Sequence, residues 1–571
     1  MPVKPIPYGL DDYKSLITKK YAYVDKTMYI RSLEQAGIYH LFLRPRRFGK
    51  SLFASMLGYY YDIAEKDNFD LLFSNMDIGR DPTEEKNAYY ILKFNFSGIR
   101  TKSPEVMLES FTQNVYDALF AFCNAYHLDI TLEIKSPEAQ LSHLFTQFRA
   151  KCDGQIYVII DEYDHFANEL LSSNSELFED TITGDGFVRT WYEVLKRVAG
   201  TIVERIFITG VSPITLDSLT SGFSISKNLS MGGKFNEMMG FTRAEVEQLI
   251  QETILPEERP SALMDTLTEY YNGYCFSEDG KERVFNSDMV LYYLDYYQQY
   301  HKPPKILLDQ NIASDYGKLG RLIEFENQKQ NREILKEIIF EGYTTAELTD
   351  NFSIGTEFKK EHFKSLLFYL GLLTIKERDL SSVRLEIPNI AMNGLYFDFL
   401  LKIIAKETNY DPDISEINQA VKQIAYENEI EMLIVLTSGL LHALSNLDYK
   451  EFNEKYVKVA MVAYSYKNNL YTIKSEYEVE GGRYIDLVFF PQDPASGLDT
   501  VLFELKYIKK SDVQDPASPK GKKIISERLS TAIEQLKKYS SAKEFSGKKI
   551  TAWAVVFVKD ECVQRVNVPV M

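Results

Sequence analysis

The stretch LFLRPRRFGKSLFASML, Leu41–Leu57, decides how the chain is read. An apolar run of strand length ends in a basic turn, and Gly49-Lys50-Ser51 then opens a segment with helical apolar spacing. Strand, loop and helix in that order let backbone N–H groups and a helix N-terminus hold phosphate oxygens. In such a loop the lysine reaches the β- and γ-phosphates and the hydroxyl binds Mg²⁺, roles open to Lys50 and Ser51, with Arg46, Arg47 and Gly49 shaping the turn. The usual pattern GxxxxGKS/T asks for Gly where Arg44 stands, so the turn forms without that glycine's freedom at positive φ. Arg44, Arg46 and Arg47 offer compensating positive charge.

Outward from this loop, IYVII (Ile156–Ile160) and RIFIT (Arg205–Thr209) are apolar on both faces, as strands of a buried parallel sheet are. Asp161 and Glu162 follow the first run. There Asp161 is placed to hold Mg²⁺ through water and Glu162 to polarise an attacking water. Thr209 ends the second run, where a hydroxyl either senses a γ-phosphate or caps the next turn.

The 571 residues exceed what one hydrophobic core supports, so several domains are expected. A balance of 65 Lys and Arg against 82 Asp and Glu leaves −17, which excludes coating of nucleic acid by bulk charge and requires any such site to be local. Four widely separated Cys, with no CxxC pair, argue against both a zinc site and a disulfide framework. A cationic leader with an apolar core is missing from the N-terminal stretch, and no apolar run approaches the roughly 20 residues of a membrane span. The expectation is a cytoplasmic protein with no membrane partner.

Changes of texture place the expected domains at 1–285, 286–425 and 426–571. The middle one is dominated by helical patterns such as EHFKSLLFYLGLLTI, followed by LEIPNI, which reads as a short strand. The last runs helix, strands, helix, strand, an α/β order.

In that last domain YIDLVFF carries Asp486, and VLFELKYI carries Glu504 and Lys506 two apart, on one face of a strand. Two carboxylates and an ammonium beside apolar strands are costly unless they pair or hold a metal. Asp486 and Glu504, with the carbonyl of Leu505, suit Mg²⁺ or Mn²⁺, while Lys506 suits orienting water and meeting charge on a scissile phosphate. Glu454 lies on a helix upstream, and Gln535 and Tyr539 share a helical face downstream. The polar stretch 509–528, with Lys509, Lys510, Lys520, Lys522 and Lys523, is expected as a basic loop that either clamps nucleic acid or stays solvated.

Together VDKTMYI, LRPRRFGKSL, VIIDEYD, ITGVSP, YNGYCFS and FYLGLLTI resemble the AAA-ATPase-like family common in bacteria and archaea, over about Tyr8 to Asn389. Likewise NEKYV, GGRYIDLVFF, FELKY and QLKKY resemble the PD-(D/E)XK nuclease domain, over about Asp448 to Phe557. These resemblances imply an α/β protein: a P-loop parallel-sheet domain, a helical middle and a C-terminal restriction-endonuclease-like domain. They imply ATP as a ligand of the loop. Glu454 is the helix-borne acid, Asp486, Glu504 and Lys506 the catalytic core, and Gln535 with Tyr539 an accessory pair. The function expected is a nucleotide-regulated, Mg²⁺-dependent nuclease, with DNA ahead of RNA by family analogy and a homo-oligomer left open. The alternative is a non-catalytic ATP-binding switch whose C-terminal domain binds nucleic acid or a protein.

Overall fold

The structure, a computed structural model, describes residues 3–132, 135–166, 186–213, 225–278, 282–308, 327–349, 359–408, 410–445, 453–466, 468, 470–493 and 496–570. The chain divides into two compact units, Met1–Ile334 with Gly342–Asn393, and Leu335–Glu341 with Gly394–Met571. The stretch 286–425 is shared between them.

The first unit is built on a parallel sheet of five strands: β1 (Tyr39–Leu43), β2 (Tyr90–Asn95), β3 (Ile156–Asp161), β4 (Val203–Gly210) and the short β5 (Lys227–Asn228). Their order is β2-β3-β4-β1-β5, which inserts β4 between the strand that leads into the phosphate loop and the strand that ends in Asp161. All six residues of β3 are buried, which explains why the run is apolar on both faces. An aromatic core of Phe94, Phe96, Phe111 and Trp191 packs edge to face beside the sheet, with Trp191 4.9 Å from Phe94.

The middle stretch is helical with one addition. A small antiparallel sheet, β6 (Tyr343–Ala346), β7 (Thr374–Asp379) and β8 (Ser382–Glu386), runs in the order β6-β8-β7. LEIPNI is therefore only partly a strand. The ladder ends at Glu386, and Asn389 accepts from the Met392 N–H at 3.1 Å to start the helix Ile390–Thr408.

The second unit carries a mixed sheet of β9 (Tyr471–Val479), β10 (Arg483–Pro491), β11 (Thr500–Ile508), β12 (Ile550–Val558) and β13 (Glu561–Asn567), in the order β13-β12-β11-β10-β9. β11 and β12 are parallel and joined by the long helix Pro519–Tyr539, whose Leu536 and Tyr539 pack on Leu502 and Ala554. The stretch 509–528 is thus half helix. Ser518 caps it by accepting from the Gly521 N–H, and Pro519 suits the first turn, so Lys520, Lys522 and Lys523 stand exposed on a helix rather than on a loop. Among the described residues no helix is long and apolar enough to cross a membrane.

Candidate functional site

Two sites emerge, one in each unit. In the first, Gly49 takes φ +86° and Arg47 φ +72°, so the loop finds its left-handed turns at these positions and needs no glycine at 44. Phe48 anchors the loop by stacking edge to face on Tyr274 and Phe276. Lys50 is buried at the start of the helix Lys50–Tyr61, and its Nζ donates to the Pro45 carbonyl at 3.0 Å. Burial pulls its pKa down, while Glu162, Asp161 and Asp164 pull the other way.

Arg44 does not reach the loop. It is buried, donates to the carbonyls of Leu43, Ser230 and Phe235 at 2.9, 2.7 and 2.9 Å, and lies between the rings of Phe42 and Phe276, 4.2 Å from each. The expectation that Arg44 compensates for the missing glycine by charge therefore fails, because both of its terminal nitrogens are spent on backbone carbonyls away from the cavity. Arg47 pairs with Asp288 at 3.5 Å, so residues just past 285 support the loop.

A cavity of about 460 Å³ opens over the loop. Arg46, Arg47, Gly49, Lys50, Ser51 and Glu162 line it, beside apolar Leu10, Tyr23, Met239, Phe241 and Leu291. Asp161 sits behind the lining, hydrogen-bonded to the Ser51 side chain, and burial raises its pKa above the usual carboxylate range. Glu162 has a left-handed backbone, φ +54°. Burial works against its charge, but His165, Lys50 and Arg46 outweigh it and hold the carboxyl at about 2. Thr209 is elsewhere: its hydroxyl donates to the Phe42 carbonyl at 3.0 Å on the adjacent strand, and it is not part of the lining. His165, which also lines the cavity, was not legible as a site residue, although it lies three residues beyond Glu162 and faces it at 3.6 Å.

In the second unit, β10 and β11 pair from Phe489 and Val501 to Leu487 and Phe503 and then part. The Leu505 N–H freed by that parting donates to Asp486 Oδ2 at 2.7 Å. On β11, Lys506 Nζ donates to Glu504 Oε1 at 2.7 Å, while Glu504 Oε2 is buried with no hydrogen-bond partner. Burial, and then the Asp486 charge, push Glu504 up to about 7. Glu454, on the helix Glu454–Ser465, is half-buried, and burial and Asp486 raise it as well. Burial opposes the Lys506 charge, but Glu504, Asp486 and Glu454 prevail and hold its pKa above the ordinary value.

The structure therefore brings Glu454, Asp486, Glu504 and Lys506 together. It adds Lys458, whose Nζ lies 3.3 Å from Asp486 Oδ1 and also bonds Glu476. Lys458 follows Glu454 by one helical turn, a spacing that could have revealed it. Gln535 donates to the Tyr539 hydroxyl at 3.1 Å and Tyr539 packs in the core, and among the described residues neither is seen to hydrogen-bond the carboxylates. Among the described residues no three His, Cys, Asp or Glu side chains are gathered closely enough to hold a metal as they stand. Lys458 and Lys506 occupy Asp486 and Glu504 instead.

Comparison with known proteins bears on both domains. Residues 7–220 match the AAA-ATPase-like family model, described as a predicted AAA-ATPase, and residues 452–566 match the PD-(D/E)XK nuclease superfamily. An uncharacterized protein in the vnfD 5' region of Azotobacter chroococcum mcd 1 is 25% identical over 290 residues, 50% of this chain and 51% of that protein. The chain thus spans about half the length of that curated relative.

Proposed function

We propose that the protein is a divalent-metal-dependent nuclease regulated by a nucleotide bound at the first site. The observation that carries the nuclease reading is the vacant, buried Oε2 of Glu504. It stands in a cluster where four carboxylates (Glu454, Glu476, Asp486, Glu504) face two ammonium groups (Lys458, Lys506), so full ionisation leaves two negative charges, which one divalent cation neutralises. The orphaned oxygen and the all-oxygen donor set fit Mg²⁺ or Mn²⁺.

Asp486 and Glu504 would hold the ion, with the Leu505 carbonyl beside them and Glu454 on the approach. A divalent cation there acidifies water and neutralises charge on the scissile phosphate. Lys506, already fixed by Glu504, orients the attacking water and meets charge developing on the phosphate. Asp486 is itself fixed by the Leu505 N–H, so its carboxylate is oriented before substrate arrives. Exposed Lys520, Lys522 and Lys523, at the positive end of their helix, attract the nucleic-acid backbone. Gln535 and Tyr539 bond each other, and Tyr539 fixes that pair in the core under the helix.

At the first site, Lys50, Ser51 and Arg46 would hold the phosphates of ATP, Asp161, bonded to Ser51, would help hold its Mg²⁺, and the apolar lining would take the base. Glu162, kept ionised, is set to polarise water.

Purified protein offered linear, circular and single-stranded DNA and RNA with Mn²⁺ tests the reading. Cutting of at least one substrate that Lys506→Ala abolishes supports it. Equal cutting by both proteins, or none by either with any nucleotide, contradicts it.

A further inference from the structure

We propose that Lys458 is a built-in counter-ion of the acidic centre, holding Asp486 until a divalent cation takes its place and then resting on Glu476 alone. The proposal rests on the reading of Asp486 and Glu504 as metal ligands.

The oxygens of those two carboxylates are spoken for in a telling way. Asp486 Oδ2 accepts from the Leu505 N–H, Asp486 Oδ1 faces Lys458, Glu504 Oε1 faces Lys506, and Glu504 Oε2 is vacant. Any cation that uses Asp486 Oδ1 therefore competes with Lys458 directly. Lys458 is buried to 8% exposure, too deep to be a casual surface pair, and its ammonium touches carboxylates from two strands at once. Glu454 faces it from its own helix.

Glu476 shows that the second resting place is built. It lies where β9 would pair with Asp486: the ladder runs Ile485 with Tyr477, skips one position, and resumes with Leu487 and Ser475. At that gap Glu476 adopts φ +49°, a left-handed conformation that costs a non-glycine residue energy inside a strand. The distortion breaks one rung and coincides with the Glu476 bond to Lys458. A half-exposed glutamate offers the ammonium a partner outside the centre, so Lys458 can release Asp486 without becoming a buried, unpaired charge.

Calorimetric titration of Mn²⁺ into the nucleotide-free full-length chain tests this, with Glu504→Gln identifying the heat that belongs to the centre. Lys458→Met should bind Mn²⁺ about tenfold tighter or more, because a competing charge is gone. Lys458→Arg should stay near wild type. Glu476→Gln should bind more weakly, and that loss should vanish in the Lys458→Met background, because Glu476 acts through Lys458. Unchanged or weaker binding by Lys458→Met overturns the proposal, as does a Glu476→Gln effect that persists in full in the double variant. Should Lys458→Met fail to fold by circular dichroism, Glu476→Gln decides, with unchanged or tighter binding overturning the proposal. Wild type without any Glu504-dependent heat would remove the metal-site reading itself, and the counter-ion with it.

Discussion

The Lys50 ammonium donates to the carbonyl of Pro45, which lies in the same loop, at 3.0 Å. The loop thus holds its own lysine in a buried position where a phosphate oxygen would be a stronger, charged acceptor. Lys50→Ala should lower ATP affinity by roughly a hundredfold, the loss of about 3 kcal/mol from a charge-assisted bond, with the thermal midpoint little changed. Equilibrium binding of a fluorescent ATP analogue checks it, and unchanged affinity would show that the loop is not a phosphate site.

Arg44 should behave oppositely. Replacing it with Leu removes the guanidinium from the buried carbonyls of Leu43 and Ser230 and leaves Phe235 only its Met238 N–H, so Arg44→Leu should cost about 3 kcal/mol of stability. Arg44→Lys should not rescue it, since one ammonium cannot replace the fork held between Phe42 and Phe276. Chemical denaturation reads both variants.

Glu162→Gln should leave ATP binding intact and slow any ATP turnover by about a hundredfold or more, as loss of a positioned carboxylate does. Because His165, Lys50 and Arg46 hold Glu162 ionised, the acid limb of the turnover profile should lie well below neutral pH. An acid limb near neutrality would contradict this electrostatic picture.

His40, in β1, gives a pH dependence. It is buried with neither ring nitrogen bonded, and burial, reinforced by Arg205 and Lys227, lowers its pKa to about 4. An unfolded histidine titrates near 6.5, so between about pH 6.5 and about pH 4 the unfolded chain binds a proton that the folded chain refuses. Stability therefore falls as pH drops through that window, by up to about 3 kcal/mol. His40→Phe should flatten this part of the thermal-midpoint profile, and an unchanged slope would assign the loss to other groups.

What was legible in the sequence was local. The loop at Lys50, the buried β3 ending in Asp161, and the Glu504/Lys506 alternation on β11 are short-range patterns with strict geometric meaning. What escaped was set by tertiary contact. The charge on Arg44 pointed to phosphate, yet its burial depends on Ser230 and Phe235, nearly two hundred residues away. Leu10, Tyr23, Met239 and Leu291 meet over the loop with no sequence signature in common. Glu476 carries no sequence mark of its left-handed backbone, which coincides with a bond to Lys458 that periodicity cannot express. β13 hid its strand character behind the polar residues Glu561, Gln564 and Arg565 on a sheet edge.

In the proposed function one chain joins a nucleotide site to a nuclease centre, and the first controls the second. The most direct test of that control is the rate of nucleic-acid cleavage with Mn²⁺, with and without ATP, for wild type, Lys50→Ala and Lys506→Ala. ATP should change the wild-type rate, Lys50→Ala should cut at a rate ATP no longer alters, and Lys506→Ala should not cut. Cleavage by Lys506→Ala, or an ATP response that survives in Lys50→Ala, would contradict it.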